Sequence, residues 1–287
     1  MKIVEIIFTR NEGELLRQNI DFHYKQGVDF FLITDSSSED NTREVMQGYE
    51  NMGIAECFYD NGVFLQKEQM DAMAKIAFKK HNPDWIIVSD TDEFWSHRNG
   101  LKRFLEQVPY DVNVLKICRY QYFPTANDNV NENVIYHRMR YRENGKWIGF
   151  NTGIGENEHS LARAKVAFRP INENIDIMAG NHTVHFPNRV TRKVSKEECI
   201  VREFSFRNYE QFKAKVKRAV TVFEKNVLYR SHKDYGTHWR TYLEEYQKGR
   251  LQEFYKNYIF FNEERLQKAL AEGALVKDES LAELDSI

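Results

Sequence analysis

Three carboxylates follow an apolar segment of the chain. Asp90, Asp92 and Glu93 come just after residues 85–88, Trp-Ile-Ile-Val. A continuous apolar run is typical of a strand buried on both faces, and open α/β sheets bind ligands beyond the carboxyl ends of such strands. Side chains alternate along an extended chain, so Asp90 and Asp92 point to the same side. Two like charges this close need a counter-charge or a proton, and a divalent cation that also holds substrate phosphates is the natural counter-charge. A turn with exposed acids is the alternative.

Strands and helices alternate in the first part of the chain. Apolar runs predict strands at 3–8, 28–34, 54–59 and 85–88, and helical periodicity predicts helices at 12–26, 41–49 and 66–80. This order is typical of a parallel sheet with covering helices. Shorter strands are predicted at 112–117, 166–168 and 183–186, and helices from about residue 197 onward. We therefore predict a catalytic domain over 1–196 and a helical appendage over 197–287, packed on the first domain through its aromatic face.

The ends of these strands deliver polar residues to one edge of the predicted sheet. Asp35, after the second strand, is placed to accept a hydrogen bond from a ribose hydroxyl or a ring N–H. Carboxylates, amides and an arginine together suit a nucleotide whose diphosphate is neutralised by a metal ion. The predicted donor-binding residues are Thr9, Arg10, Asn11, Glu12, Asp35, Asp60, Gln66 and Asp90.

Composition narrows the classes of function. The chain has 287 residues, 41% of them hydrophobic, and a net charge of −2, which gives no general attraction to nucleic acid. Cys57, Cys118 and Cys199 are too few and too scattered for a disulfide framework. No apolar run is long enough to span a membrane, and no Gly-x-Gly-x-x-Gly or Walker A motif follows a strand. We expect a cytoplasmic protein, or one that binds peripherally to the inner membrane.

Several motifs together resemble the family 2 glycosyltransferases, and most closely the bacterial branch whose acidic motif reads Asp-x-Asp-Glu-Phe. The resemblance covers residues 1–100 well and 200–216 moderately. The motifs are Arg10-Asn11-Glu12, His23-Tyr24, Gly27-Val28-Asp29, Asp35-x-x-Ser38-x-Asp40-x-Thr42, Asp90-Thr91-Asp92-Glu93-Phe94 and Arg207-Asn208-Tyr209-Glu210-Gln211-Phe212.

The resemblance implies a GT-A-type fold, a nucleotide-diphosphate sugar as donor, and Mn²⁺ or Mg²⁺. By position, Asp35 would hold the nucleoside, Asp90 would contact the ribose or the metal, and Asp92 would be the principal metal ligand. Arg207 would reach the donor phosphates. The implied function is a metal-dependent transfer of a sugar to a hydroxyl of a glycan or another acceptor, as in surface polysaccharide synthesis. Asn208 and Glu203 depart from the Ser and His that are common in this branch.

An inverting transferase also needs a carboxylate that takes the proton from the acceptor hydroxyl. Glu156 and Glu158, which follow a glycine-rich segment, are the predicted catalytic residues, and Asp128 and His159 compete with them. His182 is predicted to complete the metal shell, because imidazole is a common ligand.

Two alternatives remain open at this stage. Residues 86–92 also resemble the first motif of haloacid-dehalogenase-type phosphatases, in which the first Asp is the nucleophile. The chain could instead be a non-catalytic sugar-binding protein. A nucleic-acid base as sugar acceptor is disfavoured by the near-neutral charge.

Overall fold

A computed structural model describes residues 1–60, 65–145, 164–225 and 237–285 of the chain. Contacts divide these residues into two compact units. The first is formed from 1–119 and 160–203, and the second from 120–159 and 204–287. The second unit therefore takes residues from the middle of the chain as well as from its end. The division into a catalytic domain, 1–196, and a helical appendage, 197–287, packed on it stays a prediction.

The strands, in chain order, are β1 (Ile3–Thr9), β2 (Phe30–Ser36), β3 (Ala55–Asp60), β4 (Trp85–Asp90), β5 (Glu93–Ser96), β6 (Val114–Ile117), β7 (Arg119–Gln121), β8 (Tyr141–Glu143), β9 (Lys165–Phe168), β10 (Asp176–Ile177), β11 (Val184–His185), β12 (Thr191–Val194), β13 (Ile200–Glu203) and β14 (Leu275–Lys277). The helices are α1 (Gly13–Lys25), α2 (Thr42–Asn51), α3 (Gln66–Ile76), α4 (Leu101–Glu106), α5 (Ile135–Arg138), α6 (Tyr209–Lys225), α7 (Thr237–Gln247), α8 (Leu251–Phe254), α9 (Glu263–Ala271) and α10 (Ser280–Asp285). Turns of π-helix at Ala77–His81 and Tyr255–Ile259 extend α3 and α8.

The first unit is built on a seven-stranded sheet in the order β12-β6-β9-β4-β1-β2-β3. The pairs β1–β2, β1–β4, β2–β3 and β6–β12 are parallel, whereas β9 runs antiparallel to β4 and β6. The predicted α/β class with a mostly parallel central sheet is confirmed, as is the alternation of strands and helices over the first ninety residues.

Side-chain alternation along β1 explains how both faces of the sheet are covered. Ile3 and Ile7 face a cluster that includes Leu16 and Ile20 of α1. The next residues along the strand face a second cluster, which contains a buried apolar stripe at helical spacing on α3 and the turn of π-helix after it. The members of this stripe are Met70, Met73, Ala74 and Ala77.

One prediction about the later part of the chain is wrong. Residues 200–203 form strand β13, not the start of a helical segment, and pair antiparallel with β5 so that Glu203 lies opposite Glu93. The helix begins only at Tyr209. Four residues that alternate little in polarity give no periodicity long enough to distinguish a strand from a helix, and the pairing partner is about a hundred residues away in sequence.

The second unit combines helices α6 to α10 with the short pair β8–β14. Its aromatic side chains form two clusters. One centres on Phe212, Tyr242 and Tyr255, and the other on Phe123 and Phe261. Amphipathic helices of this kind need such a partner to be stable. Within the described ranges, no helix is both long enough and apolar enough to cross a bilayer.

Candidate active site

The carboxyl ends of β1, β2, β3 and β4 meet at one edge of the central sheet, because these strands run parallel and pair in register. The register places Phe8 opposite Asp90, Thr9 opposite Asp35, and Ser36 opposite Asp60. The predicted meeting of polar residues from four strand ends is therefore realised. This is the edge at which open α/β sheets bind ligands.

Asp90, the last residue of β4, is held by three donors. Lys165 Nζ lies 2.6 Å from Asp90 Oδ2, and the side-chain amides of Gln66 and Asn181 donate to Asp90 Oδ1 at 2.7 and 3.0 Å. The Asp90 side chain is nevertheless 26% exposed, so it remains open to a ligand. The carboxylate thus has a fixed orientation before any substrate arrives.

Glu93 continues this charged cluster into the interior. Its side chain is fully buried, with Oε1 2.8 Å from Lys165 Nζ and 3.5 Å from Arg119 Nη1. Arg119 also donates to Glu203 at 2.7 Å. Burial raises the pKa of Glu93, and Lys165 opposes that rise. Burial acts to lower the pKa of Lys165, but Asp90 and Glu93 outweigh it and the pKa is raised. Lys165 is therefore an ammonium at neutral pH.

Asp92 lies in the turn between β4 and β5, and only 8% of it is exposed. Among the residues that the structure describes, no three His, Cys, Asp or Glu side chains are grouped so as to hold a metal ion. Carboxylates at this edge still fit Mn²⁺ or Mg²⁺, because such ions take one or two protein carboxylates and complete their shell with substrate phosphates and water. The metal-binding roles of Asp90 and Asp92 stay predictions.

His182 belongs to the segment that reaches Asp90. Its neighbour Asn181 is buried, has a φ of 63° and bonds to Asp90 directly, and the carbonyl of Gly180 lies 3.0 Å from Lys165 Nζ. His182 Nδ1 is 3.1 Å from the carbonyl oxygen of Ala164. If Nδ1 donates there, the metal-binding lone pair is on Nε2, which is the usual arrangement for a histidine ligand. His182 as a metal ligand stays a prediction.

Helix α1 holds the backbone of the acidic turn, which is formed by Thr91 and Asp92 between β4 and β5. The side-chain amide of Asn19 donates to the carbonyl oxygens of Thr91 and Glu93 at 3.2 and 2.7 Å. Asn19 is fully buried on the face of α1 that packs against the sheet. These bonds satisfy two carbonyls of a turn that leaves the sheet and fix the path of the chain through Asp92.

The loop after β1 is tied to the loop after β2. Asn11, with a φ of 52°, donates its backbone N–H to Ser38 Oγ at 2.7 Å, and Asn11 Oδ1 accepts the N–H of Glu39 at 2.7 Å. The N–H of Glu12 donates to Thr42 Oγ1 at 3.1 Å. Asn11 and Glu12 thus hold the loops after β1 and β2 together, in addition to any contact with a donor.

Thr9 and Arg10 differ from their neighbours in this loop. Thr9 Oγ1 and Arg10 Nε are buried, and neither has a hydrogen-bond partner among the described residues. Buried polar atoms without partners are rare in folded proteins and are often explained by a ligand or a water molecule. This agrees with, but does not test, their predicted contact with the donor.

Asp35 is fully buried at the end of β2 and already has protein partners. Arg43 Nε donates to Asp35 Oδ2 at 2.6 Å, and the N–H of Ser38 lies 3.1 Å from Oδ1. The guanidinium of Arg43 also lies over the half-exposed ring of Tyr59, with Cζ 5.4 Å from the centroid. A nucleoside would share this carboxylate with Arg43.

The other predicted residues are placed as follows. Asp60 ends β3, and its carbonyl accepts the hydroxyl of Ser37 at 2.9 Å. Arg207 belongs to the second unit, where its N–H lies 3.3 Å from Gln211 Oε1, and its contact with donor phosphates stays a prediction. Glu156, Glu158 and His159 lie outside the described residues.

Lys165 and Asn181 are site residues that the sequence did not predict. Lys165 opens a buried four-residue strand, and Asn181 follows a glycine in a turn. A lysine at the start of an apolar strand is a weak signal for a buried charge. In the segment Gly180-Asn181-His182, the sequence predicted a role only for the histidine.

The fold is α/β, with acidic residues at the carboxyl edge of a mostly parallel sheet. The sequence profile of glycosyltransferase family 92 matches residues 4–268, and the chain belongs to this family. The predicted class, glycosyltransferase, is thereby confirmed. The particular family differs from family 2, to which the motifs were compared. A comparison with curated proteins found no match.

Two solved structures are similar to the chain at low identity. One is S. aureus TarS 1–349, with 14% identity, a TM-score of 0.41, and coverage of 86% of this chain and 77% of TarS. The other is glucosyl-3-phosphoglycerate synthase from Mycobacterium tuberculosis in complex with Mn²⁺, UDP and phosphoglyceric acid, with 15% identity, a TM-score of 0.28, and coverage of 41% and 43%.

Proposed function

We propose that the protein transfers a sugar from a nucleoside-diphosphate sugar to an acceptor hydroxyl, with a divalent ion at the carboxyl edge of the sheet. The observation that supports this most directly is the orientation of Asp90 by Lys165, Gln66 and Asn181. Three donors hold this partly exposed carboxylate in one orientation, as expected for a group that contacts a ligand. Family membership supports transfer of a sugar over the phosphatase alternative.

The chain's own residues have separate roles in this proposal. Asp92 would hold Mn²⁺ or Mg²⁺, with His182 as a further ligand, and the ion would supply Lewis-acid stabilisation of the charge on the leaving diphosphate. Asp90 would contact the ribose of the donor or the same ion. Thr9 and Arg10 provide buried polar atoms at the neighbouring strand end, and Asp35 contacts the nucleoside.

The proposal extends to steps on the acceptor side. Glu156 or Glu158 would take the proton from the attacking hydroxyl, which fits transfer with inversion. Arg207 would contact the donor phosphates. Surface polysaccharide synthesis in the cytoplasm, or at the inner face of the membrane, is the proposed setting.

A donor panel tests this function. The purified protein is mixed with UDP-, GDP-, CDP- and dTDP-sugars, and released nucleoside diphosphate is measured with Mn²⁺, with Mg²⁺ and with EDTA. We expect release from at least one donor, stimulated by an acceptor and abolished by EDTA. Binding of a donor without release, with every acceptor tried, would favour the non-catalytic sugar-binding alternative.

A further inference from the structure

Lys165 is a fixed positive charge inside the acidic cluster. It is 1% exposed, and its Nζ lies 2.6 Å from Asp90 Oδ2, 2.8 Å from Glu93 Oε1 and 3.0 Å from the carbonyl oxygen of Gly180. Two of these contacts, to Asp90 and Gly180, are hydrogen bonds, and the contact with Glu93 is an ion pair. The charge is therefore oriented and cannot move aside as a surface lysine would.

This charge opposes a metal ion at the same carboxylates. Two amides occupy Asp90 Oδ1, so the remaining acceptor capacity of Asp90 is on Oδ2, next to Lys165. A divalent ion bound to Oδ2 would share that oxygen with the Lys165 ammonium. Two positive charges at one carboxylate oxygen repel strongly in a partly buried site.

A diphosphate changes this balance. Its negative charges attract both the divalent ion and the ammonium, and its oxygens supply ligands that the described residues do not group together by themselves. The same site would thus disfavour the ion alone and accept it together with the diphosphate.

We propose that Lys165 is a positioning residue that makes metal binding depend on the donor diphosphate. The inference rests on the proposed function, because it assumes that the nucleotide diphosphate binds at this edge. As a consequence, the protein binds the metal ion only weakly when no nucleotide is bound, and the donor and the metal ion bind together. Asp90 is meanwhile kept in one orientation for the donor.

A purely structural ion pair is the competing explanation. Buried pairs often contribute little to stability, and removal of one partner leaves an uncompensated charge. A structural role alone predicts that substitution of Lys165 changes stability without tightening metal binding. Metal affinity in the absence of nucleotide therefore separates the two explanations.

The experiment measures Mn²⁺ binding to the nucleotide-free, full-length protein by electron paramagnetic resonance. Lys165→Met removes the charge at similar length, and Lys165→Arg keeps the charge. Lys116→Met is the matched control, since Lys116 lies on neighbouring strand β6 and bonds to Thr183 Oγ1 at 2.9 Å. We expect Lys165→Met to bind Mn²⁺ about tenfold tighter or more, because a repulsive charge is gone. Lys165→Arg and Lys116→Met should match the wild type.

Unchanged or weaker Mn²⁺ binding by Lys165→Met overturns the proposal. If that variant does not fold, Lys165→Met combined with Glu93→Gln removes both charges of the buried pair, and Glu93→Gln alone is its reference. Tighter binding by the double variant supports the proposal, and equal binding refutes it.

The second arm repeats the wild-type titration with UDP, GDP, CDP and ADP. We expect at least one of them to tighten Mn²⁺ binding, and to do so less in Lys165→Met than in the wild type. Donor turnover with no change of metal affinity in the variant means that this inference fails while the proposed function holds. No diphosphate binding and no turnover means that the proposed function itself fails.

Discussion

His23 Nε2 accepts the backbone N–H of Trp95 at 2.7 Å, and this contact determines which ring nitrogen of His23 carries hydrogen. A backbone N–H can only donate, so Nε2 is the acceptor and Nδ1 carries the proton. Nδ1 lies 3.1 Å from Asn19 Oδ1 and 3.0 Å from Glu5 Oε2. One buried ring thereby connects β1, α1 and the strand that follows the acidic turn.

We predict that His23→Phe lowers the free energy of unfolding by about 2 kcal/mol, because the volume is kept while the buried N–H of Trp95 loses its acceptor. Urea denaturation measures the change. Tyr24→Phe is the control, since Tyr24 is 51% exposed and next in sequence. Equal stability of His23→Phe and the wild type would show that the contact contributes nothing.

The sequence predicts those parts of this network that depend on local pattern. The periodicity of residues 12–26 places Asn19 and His23 on the buried face of α1, and alternation along β1 puts Glu5 on the same side of the sheet as Ile3 and Ile7. That His23 contacts Trp95, 72 residues away, could not be predicted, because strand β5 is four residues long and has no periodicity of its own.

Charge pairing was still harder to predict than strand position. The sequence indicates that Asp90 needs a counter-charge, and a metal ion was the natural candidate. The structure supplies an ammonium from Lys165, 75 residues away, on a strand that runs antiparallel to β4. Nothing local distinguishes Lys165 from the many surface lysines, and its role depends on the pairing of β9 with β4.

Asp92 is the residue that tests the proposed metal site. Asp92→Asn keeps the size of the side chain and removes its charge, so the protein should fold but lose the metal contact. We expect the turnover number to fall by roughly 100-fold or more, since Lewis-acid stabilisation amounts to several kcal/mol. Steady-state assays at saturating donor measure it, with Asp111→Asn at an exposed position as the control. Full activity of Asp92→Asn would place the metal elsewhere.

Asp35 provides a test of the nucleotide pocket. Asp35→Ala should weaken nucleoside diphosphate binding by about 1–3 kcal/mol, because ligand donors would be left unpaired. It should also lower stability, since Arg43 and the N–H of Ser38 lose their acceptor. Calorimetric titration separates the two effects. Arg43→Gln keeps the carboxylate and should not weaken binding, and unchanged affinity of Asp35→Ala would argue for a different pocket.

Asp128 gives a pH-dependent prediction within the second unit. Burial raises its pKa from 3.8 to about 6, against the opposing effects of hydrogen bonds from Thr125 and the charge of Arg138. A carboxyl with a raised folded-state pKa stabilises the protein below its unfolded pKa, and this contribution is lost as pH rises through the folded value. Between pH 4 and 7 the wild type should therefore lose about 2 kcal/mol more stability than Asp128→Asn.

Urea denaturation of both proteins at several pH values checks this prediction. Asp111→Asn, an exposed position, should follow the wild type at every pH. Parallel pH profiles for the wild type and Asp128→Asn would mean that Asp128 titrates near its ordinary pKa in the folded protein.

Truncation of the chain tests whether residues 1–196 are stable without residues 197–287. Removing everything after residue 196 deletes β13, the strand that pairs with β5. In the first unit, β5 should therefore lose this pairing partner and expose a strand edge. It also deletes Phe261, which contacts Phe123 edge to face at 5.5 Å, and so exposes the apolar residues that remain from 120–145. Exposed strand edges and apolar patches promote aggregation. We therefore expect fragment 1–196 to be insoluble or to lack a cooperative melt.

Fragment 1–203 restores β13 but still lacks Phe261, so it should improve solubility only in part. A monomeric, cooperatively melting and active fragment 1–196 would instead show that residues 197–287 form an independent module.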